Sequence, residues 1–288
     1  MSIGPWRILL RERAPLPLML AVGAAQVCSA AAVVGASLRV ATLALGATAI
    51  AALLVLLRLM DDVKDVSKDR LAHPKRPLPR GLVSVRDAKH AVTGMTLVLV
   101  GAAVVLALSN GTVPALWYVA SLGWSWLMYR EFHAARLLSR NAFVYAITHQ
   151  AVLLPMYAFA VALVAPDRVI APAARWFALG GVGAGFAYEV ARKLDPVAPA
   201  ILGTYATRHG KAAALTALMA SLALASWAAH SLGVALVVWP AVAVALVAVA
   251  LFIASPARHA LVARGVGAVV VIQLLAPALR LVSEVIAP

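Results

Sequence analysis

The sequence predicts an all-α polytopic membrane protein with about nine transmembrane helices, organised as one domain over residues 1–288. Three observations carry this expectation. The 288-residue chain is 64% hydrophobic, only 12% charged and has a mean hydropathy of +0.93, whereas a soluble domain carries about 25% charged residues. Apolar runs of about 20 residues recur along the whole length, each enough to cross ~30 Å as a helix. The charged residues crowd into alternate connections, as loops on one face of a membrane do.

The first run, 15–36, is too long for the apolar region of a signal peptide, lacks a clear cleavage pattern and is followed by eight more. It holds Cys28, the only cysteine, so there is neither a disulfide framework nor a cysteine metal site. The second run, 39–60, leads into the charged stretch "DDVKDVSKDRLAHPKRPLPR" at 61–80, where Pro74, Pro77 and Pro79 stop any helix and Gly81 permits a turn. Runs 88–109 and 113–129 are joined around Asn110, and "YREFH" at 129–133 connects to run 141–163. Run 172–193 contains "GGVGAG" at 180–185; no strand precedes it, so it reads as close helix packing rather than a phosphate loop. A polar loop over 194–210 precedes runs 211–229, 233–254 and 265–286.

Nine spans put twenty of the 25 Lys and Arg on one side, which the positive-inside rule makes cytoplasmic. The net charge of +14 then reflects topology, with anionic lipid and not nucleic acid as its partner. The acids are as lopsided: only Asp167 and Glu284 lie across.

Four aspartates fall within nine residues at a membrane-entry point: Asp61, Asp62, Asp65 and Asp69. Asp62, Asp65 and Asp69 sit at i, i+3 and i+7, so a continuous helix puts them on one face. Like charges ~4 Å apart repel by roughly 4 kcal/mol at an effective dielectric of ~20, and such a face relaxes by binding protons or a cation. Oxygen-only ligands point to a hard divalent ion, Mg2+. The neighbouring Lys64, Lys68, Arg70, Lys75, Arg76 and Arg80 add fixed positive charge, and the combination suits a diphosphate.

Here the residues meet a known pattern. "DDVKDVSKDR", followed by "PKRPLPRG", resembles the first signature of the UbiA superfamily of intramembrane prenyltransferases, NDxxDxxxD with a basic, proline-rich continuation. The motif falls at the end of the second span, as in that family, and the span count agrees. Asp61 stands where the family has Asn. The family's second motif, DxxxD after span six, is replaced by "YEVARKLDP" at 188–196, and the following "GTYATRHGK" looks like a version from divergent bacterial members. The resemblance implies a helical bundle around a central cavity open to lipid, in a bacterial inner membrane. It also implies Mg2+-dependent transfer of an isoprenyl group from an isoprenyl diphosphate to an aromatic or lipid-soluble acceptor.

On that basis Asp61, Asp62, Asp65 and Asp69 are expected to bind Mg2+, with Glu189 supplying a ligand from the other half of the bundle. Lys68, Arg70, Arg76, Arg192 and Lys193 are expected on diphosphate oxygens, Arg192 and Lys193 at i+3 and i+4 from Glu189. These two cations replacing a second metal is one reading; plain topology charges is another. Asp195 precedes Pro196 and is expected past the helix end. Tyr145, Thr148 and His149 put polar groups inside a membrane helix. His149 either orients or deprotonates the acceptor, or makes a helix-packing hydrogen bond. Tyr129, Arg130 and Glu131 line the cavity mouth or form a solvated loop; Tyr188 and Tyr205 contact phosphate or shield a cation. A membrane terpene cyclase would share the same diphosphate site, and a small transporter would instead need charges deep in several spans.

Overall fold

A computed structural model describes residues 3–199, 201 and 203–286, with side chains from Gly4 to Leu279. Glu284 therefore lies outside the described side chains. Every regular element among the described residues is helical. In chain order these are α1 (Ile3–Arg13), α2 (Leu16–Val34), α3 (Val40–Lys64), α4 (Val66–Ala72), α5 (Val85–Asn110) and α6 (Thr112–Tyr129). There follow α7 (Ala135–Leu138), α8 (Ala142–Gln150), α9 (Leu153–Val164), α10 (Pro172–Ala191), α11 (Tyr205–Ser231), α12 (Ala235–Ala254) and α13 (His259–Ile286).

The helix ends follow from local chemistry. Gly35 takes the left-handed conformation (φ 62°) that closes α2, and Ala36 N–H donates to Ala31 O at 2.9 Å. Ser84 caps α5 by accepting from Asp87 N–H at 3.0 Å, and Asn141 caps α8 by accepting from Phe143 and Val144 N–H.

Seven segments are long and apolar enough to cross a membrane: α2, α3, α5, α8 with α9, α11, α12, and residues 256–279 through most of α13. The expected count of nine differs from this by α6 and α10. The tryptophans Trp117, Trp124 and Trp126 dilute the hydropathy of α6, and Arg175, Glu189 and the glycines dilute that of α10. Large apolar side chains face outward, with Leu108 85% and Leu236 89% exposed, as a lipid-facing surface requires.

The helices pack as neighbours in chain order, and α13 returns to α2, closing the ring. The tightest pairing is α10 on α11: a Cβ added at Gly183 would stand 3.0 Å from Ala225 N and Ser221 O. Glycine at 183 therefore lets two backbones approach. At Gly181 the same space is filled by the Tyr157 ring. The polar connections after α3 and after α10 meet at one end of the bundle.

Candidate functional site

The site begins where α3 ends. Asp65 leaves the helical conformation (φ −92°, ψ 5°) and α4 starts anew at Val66. The break divides the aspartates: Asp61 and Asp62 belong to α3, Asp65 sits at the junction, and Asp69 belongs to α4. Of the face expected from their spacing, Asp65 and Asp69 line one cavity, whereas Asp62 is not among its lining residues and pairs with Arg13.

Each aspartate instead meets a protein cation. Arg13 Nε donates to both Asp62 carboxylate oxygens at 3.0 Å, and its Nη2 donates to Oδ1 at 2.6 Å. Arg76 Nη1 lies 2.7 Å from both Asp69 oxygens. Asp62 and Asp69 are each only 5% exposed, so these are desolvated, charge-assisted pairs. Asp61 stands 3.7 Å from Lys64 Nζ, and Asp65 stands 3.5 Å from Lys68 Nζ. Burial works against the charge of Arg13, yet the Asp62 hydrogen bond and charge, with Asp69 and Asp61 behind, raise its pKa above the ordinary arginine value.

A divalent ion gathers oxygens from several carboxylates. Among the described residues no three His, Cys, Asp or Glu side chains converge for such an ion. As placed, the aspartates do not fit Mg2+: arginines hold both oxygens of Asp62 and Asp69, and Asp61 and Asp65 each face a lysine through one oxygen.

A cavity of about 450 Å³ opens at this end. From the first half of the chain it is lined by Asp65, Lys68, Asp69, His73 and Arg76; from the second by Arg192, Lys193, Asp195, Thr204, Tyr205 and Arg208. Ser139 and Tyr145 lie between. Burial, followed by the positive charge of Arg76, lowers the His73 pKa.

Glu189 is not among the lining residues; it stands behind them as an anchor. Arg192 Nε donates to its Oε2 at 2.7 Å, Arg192 Nη2 pairs with the same oxygen, and Lys193 Nζ lies 2.6 Å from Oε1. Tyr205 OH donates to Oε1 at 3.4 Å, and Lys193 Nζ sits 5.3 Å above the Tyr205 ring. The i+3 and i+4 spacing aims both cations from one carboxylate into the cavity, while the metal-ligand role expected of Glu189 finds its oxygens already paired.

Arg208 completes that wall. Thr204 caps α11 through Thr207 N–H, and Gly210 (φ 86°, ψ 157°) breaks the helix after its first turn. This separate turn carries Arg208, whose Nη1 donates to Ser139 O at 2.9 Å. Gly203 leaves room for it: a Cβ there would stand 2.5 Å from Arg208 Nε. Phe143 stacks on Tyr205 (5.1 Å) and His209 (4.9 Å), and Ala142 N–H donates to His209 Nε2, fixing the turn against α8.

Behind Tyr145 lies a polar network. Lys64 Nζ donates to Tyr145 OH at 3.2 Å and lies 3.6 Å from Glu131 Oε1; Tyr145 OH donates to Glu131 Oε1 at 3.1 Å. His149 Nδ1 is 2.7 Å from Tyr145 O, an acceptor only, so Nδ1 carries the proton and the Nε2 lone pair faces Lys64 at 3.4 Å. Glu131, Phe132 and His133 hold positive φ (51°, 51° and 54°), a conformation costing about 1 kcal/mol or more per non-glycine residue.

The remaining expected residues lie elsewhere. Asp61, Asp62 and His149 are near the cavity but are not among its lining residues. Arg70 and Arg130 are exposed, Tyr129 packs edge-on against Trp126, and Tyr188 is 42% exposed beside Gly267; none of these lines the cavity. Sequence reasoning missed His73, Ser139, Thr204 and Arg208 as lining residues, and the pairing of Arg13 with Asp62. Thr204 before Tyr205 was a legible helix-start signal that brings Arg208 onto the first turn.

No family model matches the chain, and no curated protein matches it. A solved structure of a digeranylgeranylglyceryl phosphate synthase in membranes has a similar fold, with a TM-score of 0.67 over 96% of this chain and 98% of that one, at 13% identity.

Proposed function

We propose that this protein transfers an isoprenyl group from an isoprenyl diphosphate to an aromatic or lipid-soluble acceptor at a membrane. The observation that carries this reading is the cavity itself. It joins Lys68, Asp69 and Arg76 of the "KDVSKDR…PKR" segment to Arg192 and Lys193, at the mouth of an apolar bundle. The similarly folded protein is by name the synthase of a product with two geranylgeranyl groups on glyceryl phosphate, which agrees with isoprenyl chemistry. The charged end faces the cytoplasm of a bacterial cell, by its excess of Lys and Arg, and the whole chain acts as one unit.

In the proposed reaction the allylic C–O bond breaks and its electron pair goes to the diphosphate. The carbon cation then bonds a nucleophilic atom of the acceptor, which loses a proton. Lys68, Arg192, Lys193 and Arg208 stabilise charge developing on the leaving group. The apolar bundle keeps water from the cation. The magnesium expected from the sequence has no step here, since the carboxylates as placed do not fit it.

The test is incubation of the detergent-purified protein with a ladder of isoprenyl diphosphates and a panel of aromatic and lipid acceptors, followed by mass spectrometry. An acceptor heavier by one isoprenyl group less a proton is expected. Diphosphate release with a cyclic hydrocarbon and no acceptor product would replace transfer by terpene cyclisation.

A further inference from the structure

We infer that the second wall of this cavity, Arg192, Lys193 and Arg208, grips a phosphate or diphosphate group directly and without a divalent ion. The identity of the ester rests on the prenyl-transfer reading; the anion site does not.

Arg208 is the centre of the argument. The Thr204 cap and the Gly210 break aim its turn, and Ser139 O takes one guanidinium N–H at 2.9 Å. Among the described residues it makes no ion pair with a carboxylate. A guanidinium has five N–H donors in a rigid fork that matches phosphate oxygens. Anchored by one of them and unpaired in charge, Arg208 lines the cavity with donors to spare. Arg192 and Lys193 share one counter-charge, Glu189, and so add a further surplus positive charge beside it.

The carboxylates argue the same way. Of those lining the cavity, Asp69 gives both oxygens to Arg76 at 2.7 Å. Asp195 accepts from Val197 N–H at 3.0 Å and lies 3.8 Å from His259. Asp65 faces Lys68 at 3.5 Å. To hold a metal through Asp69, its pairing with Arg76 would have to be given up. Five cations and three carboxylates line the wall, and Glu189 behind them leaves one net positive charge. That balance recruits an anion rather than a second cation.

The experiment measures binding of inorganic pyrophosphate to the purified full chain by titration calorimetry, first in EDTA and then with Mg2+. Binding in EDTA is expected, with a gain from Mg2+ below about threefold, since guanidinium and ammonium donors already supply charge-assisted hydrogen bonds. Arg208→Gln should weaken it at least about tenfold, and Arg208→Lys less, because the lysine keeps the charge but not the fork. Binding that requires Mg2+ would overturn the inference on the wild-type protein alone, whatever the variants do. Equal binding by Arg208→Gln would remove Arg208 from it. Binding in EDTA with no turnover of any isoprenyl diphosphate would leave the anion site standing and sink the prenyl-transfer reading. Turnover with Mg2+ but no binding in EDTA would do the reverse. Displacement of pyrophosphate by phosphatidic acid micelles but not by isoprenyl diphosphates would overturn the assignment to the prenyl donor.

Discussion

Arg13 and Asp62 form a bidentate ion pair, with Arg13 Nη2 2.6 Å from Asp62 Oδ1 and side-chain exposures of 16% and 6%. It ties α1 to the end of α3 across 49 positions of sequence. Removing either partner leaves a desolvated charge, which costs about 3–5 kcal/mol, whereas replacing both with apolar residues of similar volume is close to neutral. Asp62→Asn and Arg13→Met should each lower the thermal midpoint in detergent, and Arg13→Met with Asp62→Leu should recover most of the loss. A metal-ligand role for Asp62 would instead leave the double variant as inactive as Asp62→Asn with no recovery of stability.

Glu189 carries the opposite expectation. It holds Arg192 and Lys193 at hydrogen-bond distance, so Glu189→Gln should loosen both while removing a negative charge. Pyrophosphate affinity should stay within about threefold of wild type, and stability should fall by about 1–3 kcal/mol from hydrogen bonds to a charged group. Calorimetry and thermal unfolding read the two separately.

Gly203 combines a positive φ of 53° with the Arg208 guanidinium pressed against the place of its missing Cβ. Gly203→Ala should both strain the backbone by about 1 kcal/mol and push Arg208 out of line. Pyrophosphate affinity is expected to fall by about tenfold, the loss of one charge-assisted hydrogen bond. Affinity unchanged from wild type would mean that Arg208 is not held by this packing.

His149 turns its Nε2 to Lys64 and is not a lining residue. His149→Gln should therefore keep turnover within about threefold, where loss of a general base costs 10²–10⁴-fold. Initial rates under saturating donor and acceptor distinguish the two.

His73 gives the pH dependence. Its pKa is lowered from 6.5 in the folded protein, first by burial and then by Arg76. The unfolded chain then binds the proton more readily, so stability is lost as pH falls through the unfolded value and below it. Thermal midpoints of wild type should drop between about pH 7 and 5, and His73→Gln should drop less over that interval. Parallel profiles would exclude His73 as the source.

Much of this fold was legible because hydropathy is local. A run such as 39–60 must be a helix if it is to cross lipid at all, whatever it packs against. Gly180, Gly181 and Gly183 also announced close helix packing: Gly183 lets α10 approach α11, while Gly181 makes room for Tyr157 of α9 and Gly180 for Gln273 of α13. The aspartate register departs from that spacing for an equally local reason: Asp65 ends α3, and i+3 and i+7 spacing places residues on one face only where the helix is continuous.

By itself, then, the chain determined its apolar helices and the end at which its charges gather, since both follow from short-range composition and the energetics of lipid. Tertiary structure alone decided that Asp62 meets Arg13 and which residues share the cavity, whereas Asp61 with Lys64, Asp65 with Lys68 and Glu189 with Arg192 and Lys193 pair three or four positions apart. Arg13 finds Asp62 from 49 residues away and Arg208 finds Ser139 from 69. Contacts between residues so far apart in the chain form by proximity in space, and only the closing of the helix ring supplies it.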